Sequence, residues 1–302
     1  MNLNEIKILT RKLLDATYQL FVGPNTYKSA PIFARVAEGT FRRDYLTLYT
    51  MLYLAAHEKP EARTAFATSC MDLCRRIHED LISLEYMLLK GKEKYARKFM
   101  NYKAVEAKRD IDYLEAVGAP IDPRIKKNTI DENYEKVKHQ FLDNSSKARR
   151  KAWAELTEFL KSQGKIDDRD EQKIEEEFTK RYPNVDEQPR RAWAGLDVED
   201  MTRELVKGGV INANEQRILI QTYLKGNQKN HFSPTDISVF LDNELYNQAN
   251  DADLLLSLVV TTIGVTRIAT IFADEVELPD ETKQRIKEIS QTLLAAHLSE
   301  DE

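Results

Sequence analysis

From Phe66 to Leu88 the residues Phe66, Cys70, Leu73, Ile77, Leu81, Leu84 and Leu88 recur at spacings of 4, 3, 4, 4, 3 and 4. That rhythm is the 3.6-residue period of an α-helix held over about six turns, and a strand, with its period of two, cannot produce it. A helix of this length must lay its apolar stripe against other helices, so the remaining chain is read for what can cover it. The supply of turns is small, with 10 Gly and 9 Pro in 302 residues. Folds built from many short strands need those residues at most of their connections. The expected class is all-α: a multi-helix bundle with a charged helical-hairpin insertion.

Three stretches follow from composition. Residues 1–120 read as four helices forming one half of the bundle. In the second of them Ser29 is the expected cap, Pro31 falls in the first turn, and Phe33, Phe41, Tyr45, Leu48, Tyr49, Leu52 and Tyr53 supply the apolar positions. Gly91 separates the third helix from the fourth, and Gly118-Ala119-Pro120 ends it. Residues 121–190 are densely charged, and their sparse apolar positions, among them Leu156, Leu160, Ile174 and Phe178, form narrow stripes suited to packing along one seam. Residues 191–302 return to core composition and complete the bundle. There Asp197 can cap a helix, Asn212 with Glu215 has capping-box spacing, and a last helix runs from about Asp280 to His297. The β-branched run inside 252–274 is expected to be a central buried helix, because its length is a helix's and it has no partner strand.

With 45 basic and 50 acidic residues the net charge is −5, so any nucleic-acid binding has to come from a local patch. The start of the chain, MNLNEIKILTRKLLDATYQL, has the pattern of an amphipathic helix rather than of a secretory leader, and a cytoplasmic location is expected. The longest uncharged stretch, Leu254 to Thr266, is shorter than the roughly 20 apolar residues of a bilayer span, so no membrane partner is expected. No Gly-rich phosphate loop, Gly-x-Ser-x-Gly elbow, His-Glu-x-x-His pair or Cys-x-x-Cys occurs. No cofactor is expected either.

Cys70, Cys74 and His78 lie at i, i+4 and i+8 on one helix face. Two turns spread them over about 12 Å, too far for one ion at about 2.0–2.3 Å from each, so they read as core and no metal is expected. Tyr45, Tyr49 and Tyr53 repeat every four residues behind Arg42, Arg43 and Asp44, a pattern suited to lining a ligand pocket. Tyr223, Asn227 and His231 also recur every four residues, and on a continuous helix would set an imidazole beside an amide and a phenol. His231 is the best single candidate for acid–base chemistry, since imidazole titrates near neutrality.

The Arg42 to Tyr53-Leu54 helix, KYARKFMNYKAVEAKRDIDYL, WAGLDVEDM at Trp193–Met201, and Tyr223-x-x-x-Asn227-x-x-x-His231 before Ser233-Pro234 together resemble a bacterial helical family described as a domain of unknown function. The resemblance covers about two-thirds of the chain. The chain departs from that pattern at Leu46, where the family has an acid one turn after the Arg, and at Asn227, where it has Ser. Such proteins are distantly similar to HEPN-type helical domains, many of them toxin or defence ribonucleases with an Arg four to six residues before a His. Here Lys225 stands six before His231, and no Arg has that spacing to any of the five histidines.

Two functions follow as expectations. One is a non-catalytic interaction module in a bacterial defence or regulatory complex, engaging a protein partner through residues 121–190 and dimerising through surplus apolar surface on 252–274. The alternative is a HEPN-like ribonuclease or toxin-type enzyme acting on RNA, with His231 as acid/base, Lys225 and Arg42 holding phosphate, and Asn227 and Tyr223 positioning substrate.

Overall fold

The computed structural model describes residues 2–23, 30–56, 60–141, 147–164, 171–182, 192–230, 243–276 and 280–298. Of these, 60–66, 68, 147–151, 171–172, 179, 225–230, 243–251 and 293–298 are described in backbone alone. Among the described residues there are eleven α-helices and no strand, as the turn supply requires: α1 (Leu3–Val22), α2 (Ile32–Ala55), α3 (Pro60–Lys90), α4 (Lys92–Ala116), α5 (Lys127–Val137), α6 (Lys147–Ser162), α7 (Glu171–Arg181), α8 (Val198–Lys207), α9 (Ala213–Asn230), α10 (Asn243–Glu275) and α11 (Asp280–Leu298). The chain divides into two compact units, Met1–Ala96 with Val198–Glu302, and Arg97–Asp197.

In the first unit α3 and α10 form the central pair, with α1, α2, α9 and α11 packed around them. The stripe of α3 is buried at Cys70, Ile77, Leu81 and Leu84, whereas Leu88 emerges into solvent. Cys70 and Cys74 pack with Ile6, Met51, Leu254 and Leu258 in the core. Burial drives both thiols up to about 12, so they behave as small apolar side chains.

In the β-branched α10 several threonine hydroxyls turn back onto the helix's own carbonyls. Thr262 donates to the Leu258 carbonyl at 2.7 Å, Thr266 to Thr262 at 2.7 Å and Thr270 to Thr266 at 2.9 Å. Across the interface the Thr10 and Thr262 hydroxyls meet at 2.8 Å. The window Ala252–Glu275 is long and apolar enough to span a bilayer by length and composition, and 61% of it is buried within this fold.

Glycine is required at Gly91, whose φ of 112° breaks α3 from α4. The N-terminus of α2 lacks a capping side chain at Pro31. The Glu93 carboxylate closes it from the start of α4, accepting the amides of Ile32 at 3.1 Å and Phe33 at 3.3 Å. Ser29, the cap expected from sequence, lies outside the described residues. The capping box at Asn212 forms: its Oδ1 accepts the Glu215 amide at 3.0 Å and Glu215 Oε2 accepts the Asn212 amide at 2.8 Å.

The second unit has a thin interior. α5 buries none of its residues. It is tied to α4 by polar contacts, Lys108 bridging Asp112 at 2.7 Å and Asp131 at 3.0 Å. Phe141 sits edge-on to Tyr102 at 5.1 Å. α6 and α7 close on Leu156, Leu160 and Phe178, flanked by Trp153 and Tyr182. Of the sparse apolar positions in the sequence, Leu156, Leu160 and Phe178 form this seam.

Candidate functional site

A charged cluster lies where α2 packs on α3. Phe41, Asp44, Leu48 and Met51 share the buried face of α2. Ile77, Asp80 and Leu84 follow each other at the same helical spacing on α3, so an acid from each helix is carried into the apolar contact. Asp44 is fully enclosed. Its Oδ1 lies 3.5 Å from Arg43 Nε, yet neither carboxylate oxygen completes a hydrogen bond with a described residue. Arg43, half exposed, pairs with Asp80. Arg76 donates to the Thr47 hydroxyl at 2.5 Å, and that hydroxyl donates to the Arg43 carbonyl at 2.9 Å.

Burial first, and the Asp80 charge second, push Asp44 up to about 8 against the pull of Arg43. Asp80 is raised too, chiefly by burial, with Arg43 acting against it. Burial raises both carboxyls, with the Asp80 charge adding to the rise at Asp44, while Arg43 opposes it at each, so the two titrate as a pair that favours holding a proton. The cluster is enclosed at Asp44 and open to solvent at Arg43. Sequence reasoning noted Asp44 only as a neighbour of the tyrosines. The signal was its position three after Phe41 and four before Leu48, inside the apolar register.

A second polar line runs between α3 and α10. His78 is buried, with its Nε2 4.0 Å from Cys74 Sγ. Burial lowers it to about 4, the Val260 backbone pulls it partly back, and Arg267 lowers it further, so the ring is neutral. Further along, Arg267 pairs with the buried Glu85 and reaches Glu215 of α9 at 3.2 Å. Burial raises Glu85 to about 7, opposed by Arg267. Among the described residues no group of three or more His, Cys, Asp or Glu side chains is placed to hold a metal ion.

The residues singled out from sequence are dispersed in character. Arg42 pairs with the buried Glu38 at 2.8 Å and donates to the Gly23 carbonyl at 3.2 Å, fastening the end of α1 to α2. Tyr45 is a core side chain: it stacks on Phe21 at 4.5 Å and its hydroxyl donates to the Leu14 carbonyl at 3.2 Å. Tyr49 and Tyr53 point outward, 58% and 70% exposed, so the three phenols do not enclose one pocket. A groove of about 530 Å³ does lie beside them between α1 and α2, lined by Lys7, Ile8, Arg11, Lys12, Leu52 and Ala56 among others. α9 is continuous through Gly226 to Asn230, so Tyr223 and Asn227 are one turn apart on one helix, with Tyr223 half-buried. The side chains of Lys225 and Asn227, and all of His231, lie outside the described residues.

No curated protein and no solved structure matches the chain. Residues 61–249, more than half of its length, match one family, and they run from α3 through the charged unit to the start of α10. The protein belongs to the family of unknown function DUF5677.

Proposed function

We propose that the protein is a non-catalytic, cytoplasmic helical interaction module, acting within a bacterial defence or regulatory assembly and capturing a protein partner through residues 121–190. What supports this most is the economy of the charged unit's interior. α5 buries nothing, and α6 and α7 close on three apolar side chains. Helices that spend so little surface on their own core leave most of it for contact with another molecule. Tyr113, Val117 and Ile125 extend that surface, each more than a third exposed where α4 gives way to the chain leading into α5. The defence or regulatory setting follows from the resemblance to HEPN-like helical families.

The test is affinity purification from the native host with the full chain and with a variant whose residues 121–190 are replaced by a flexible linker. The partner is expected to leave with the segment while the helical signal of the first unit remains. A partner retained by the variant overturns the reading. In parallel, the wild type and His231→Ala are incubated with RNA, and both are expected to leave it intact. Cleavage by the wild type that His231→Ala abolishes would replace the module with the nuclease.

A further inference from the structure

The outer faces of α1 and α2 meet along the groove that Ile8, Arg11, Lys12, Leu52 and Ala56 line. Its floor is apolar, with Leu52 nearly buried and Ile8 58% exposed. One bank is basic: Arg11 and Lys12 are exposed and form no ion pair with a described residue. Beyond the lining residues, α2 also leaves Leu46, Tyr49 and Tyr53 more than half exposed, and Tyr49 and Tyr53 are one turn or less from Leu52 along the helix. Toward the other end Asp15 lines the groove. Two antiparallel helices with apolar and aromatic side chains left outside form the seat that a third helix fills in a bundle.

Charge decides what kind of helix. In a chain of net charge −5 this face presents the exposed Arg11 and Lys12, with Asp15 the one acid among the described lining residues. A nucleic-acid strand would seek more cations and fewer aliphatic side chains than Ile8, Leu46 and Leu52 provide. Tyr and Arg at the rim of an apolar seat are the residues that anchor protein partners.

We propose that the α1–α2 groove receives one amphipathic helix with an acidic flank, supplied by a partner protein. Its apolar side chains rest on Ile8, Leu52, Ala56 and Tyr53, and its carboxylates face Arg11 and Lys12. Asp15 sets the direction, because the acidic end of the guest must lie away from it. From Asn4 to Asp15 the lined stretch is about 16 Å, so about 11 residues, three helical turns, fill it. This goes beyond the module reading and uses none of residues 121–190.

The probe is a fluorescently labelled peptide of about 12 residues, stapled to hold a helix, with Leu at i, i+3, i+4 and i+7 and Glu on one flank. Its anisotropy is read on titration with the full chain. The peptide is expected to bind, Arg11→Glu with Lys12→Glu to weaken it at least tenfold, and Tyr53→Ser to weaken it several-fold. The same peptide with Lys for Glu is expected to bind only the Arg11→Glu, Lys12→Glu protein. These positions are exposed, and an unchanged circular dichroism spectrum confirms folding of each variant. Binding that is absent, or indifferent to the charge reversals, overturns the proposal. So does oligo-uridine displacing the peptide at lower concentration, or a wild-type dimer that Tyr53→Ser dissociates.

Discussion

Replacing Asp44 by Asn removes one titrating proton from the α2–α3 contact while leaving its volume nearly unchanged. In the unfolded chain an Asp carboxyl ionises near 3.9, whereas in the fold burial and the Asp80 charge hold Asp44 at about 8. The folded state therefore binds more protons than the unfolded state through the window between them. Stability is fully present below pH 3.9 and is lost as pH rises toward 8, with a slope approaching 1.4 kcal/mol per pH unit. At pH 7 the cost of protonating Asp44 on folding is at most about 4 kcal/mol, and it shrinks as pH falls toward about 4. Asn cannot ionise and offers Asp80 an amide donor in place of the acid proton. Asp44→Asn is expected to be more stable than the wild type, by up to a few kcal/mol at pH 7 and by less at pH 5. Urea unfolding followed by circular dichroism at pH 5, 6, 7 and 8 measures the difference directly. A stability difference that does not grow with pH, or a variant less stable than the wild type at pH 8, would refute the shared-proton account.

The other predictions probe the α3–α10 interface. His78 is held neutral at about 4, below its unfolded value of 6.5, so the folded state binds fewer protons and stability falls as pH drops through that window, by about 3 kcal/mol in total. His78→Gln should abolish that acid-side loss in urea titrations between pH 7 and pH 4.5, and an unchanged slope would contradict it. Glu85→Ala strands Arg267 with Glu215 alone and is expected to cost about 3 kcal/mol, against about 1 kcal/mol for Glu85→Gln, which keeps an acceptor oxygen and the volume; equal losses would show that the charge alone, and not the hydrogen bond or the packing, is what counts. A Cβ at Gly264 would lie 3.1 Å from Ile77 Cγ2 and 3.7 Å from His78 Cδ2. Gly264→Ala should therefore be near neutral in Tm, its helix gain of about 1 kcal/mol offsetting the tight contact, while Gly264→Leu should cost about 3 kcal/mol.

How much of this was legible in the sequence depends on which physical signal each feature carries. Periodicity is local, so the α3 stripe, the four N-terminal helices, the break at Gly91 and the Asn212–Glu215 box could be read from neighbours in the chain. Leu88 shows the limit: it keeps the period of α3 but emerges from the core, because period fixes a face and only the covering helices fix where burial ends. Tyr45, Tyr49 and Tyr53 show a related limit. A four-residue repeat lags the 3.6-residue turn, so successive members rotate around the helix, and over eight residues the stripe turns from the Phe21 contact into solvent. Features that join distant segments left no local mark at all. Glu93 caps α2 from 61 residues away, and Asp44 meets Asp80 only because two helices cross. A charged residue in an apolar register is ambiguous in sequence, since it can mark the edge of a stripe as readily as a buried partner. What separates the two is whether a second such residue arrives on the facing helix. Asp80, three after Ile77 and four before Leu84, is that second residue, and pairing in-register charges between helices that must pack is the inference that would have found the cluster.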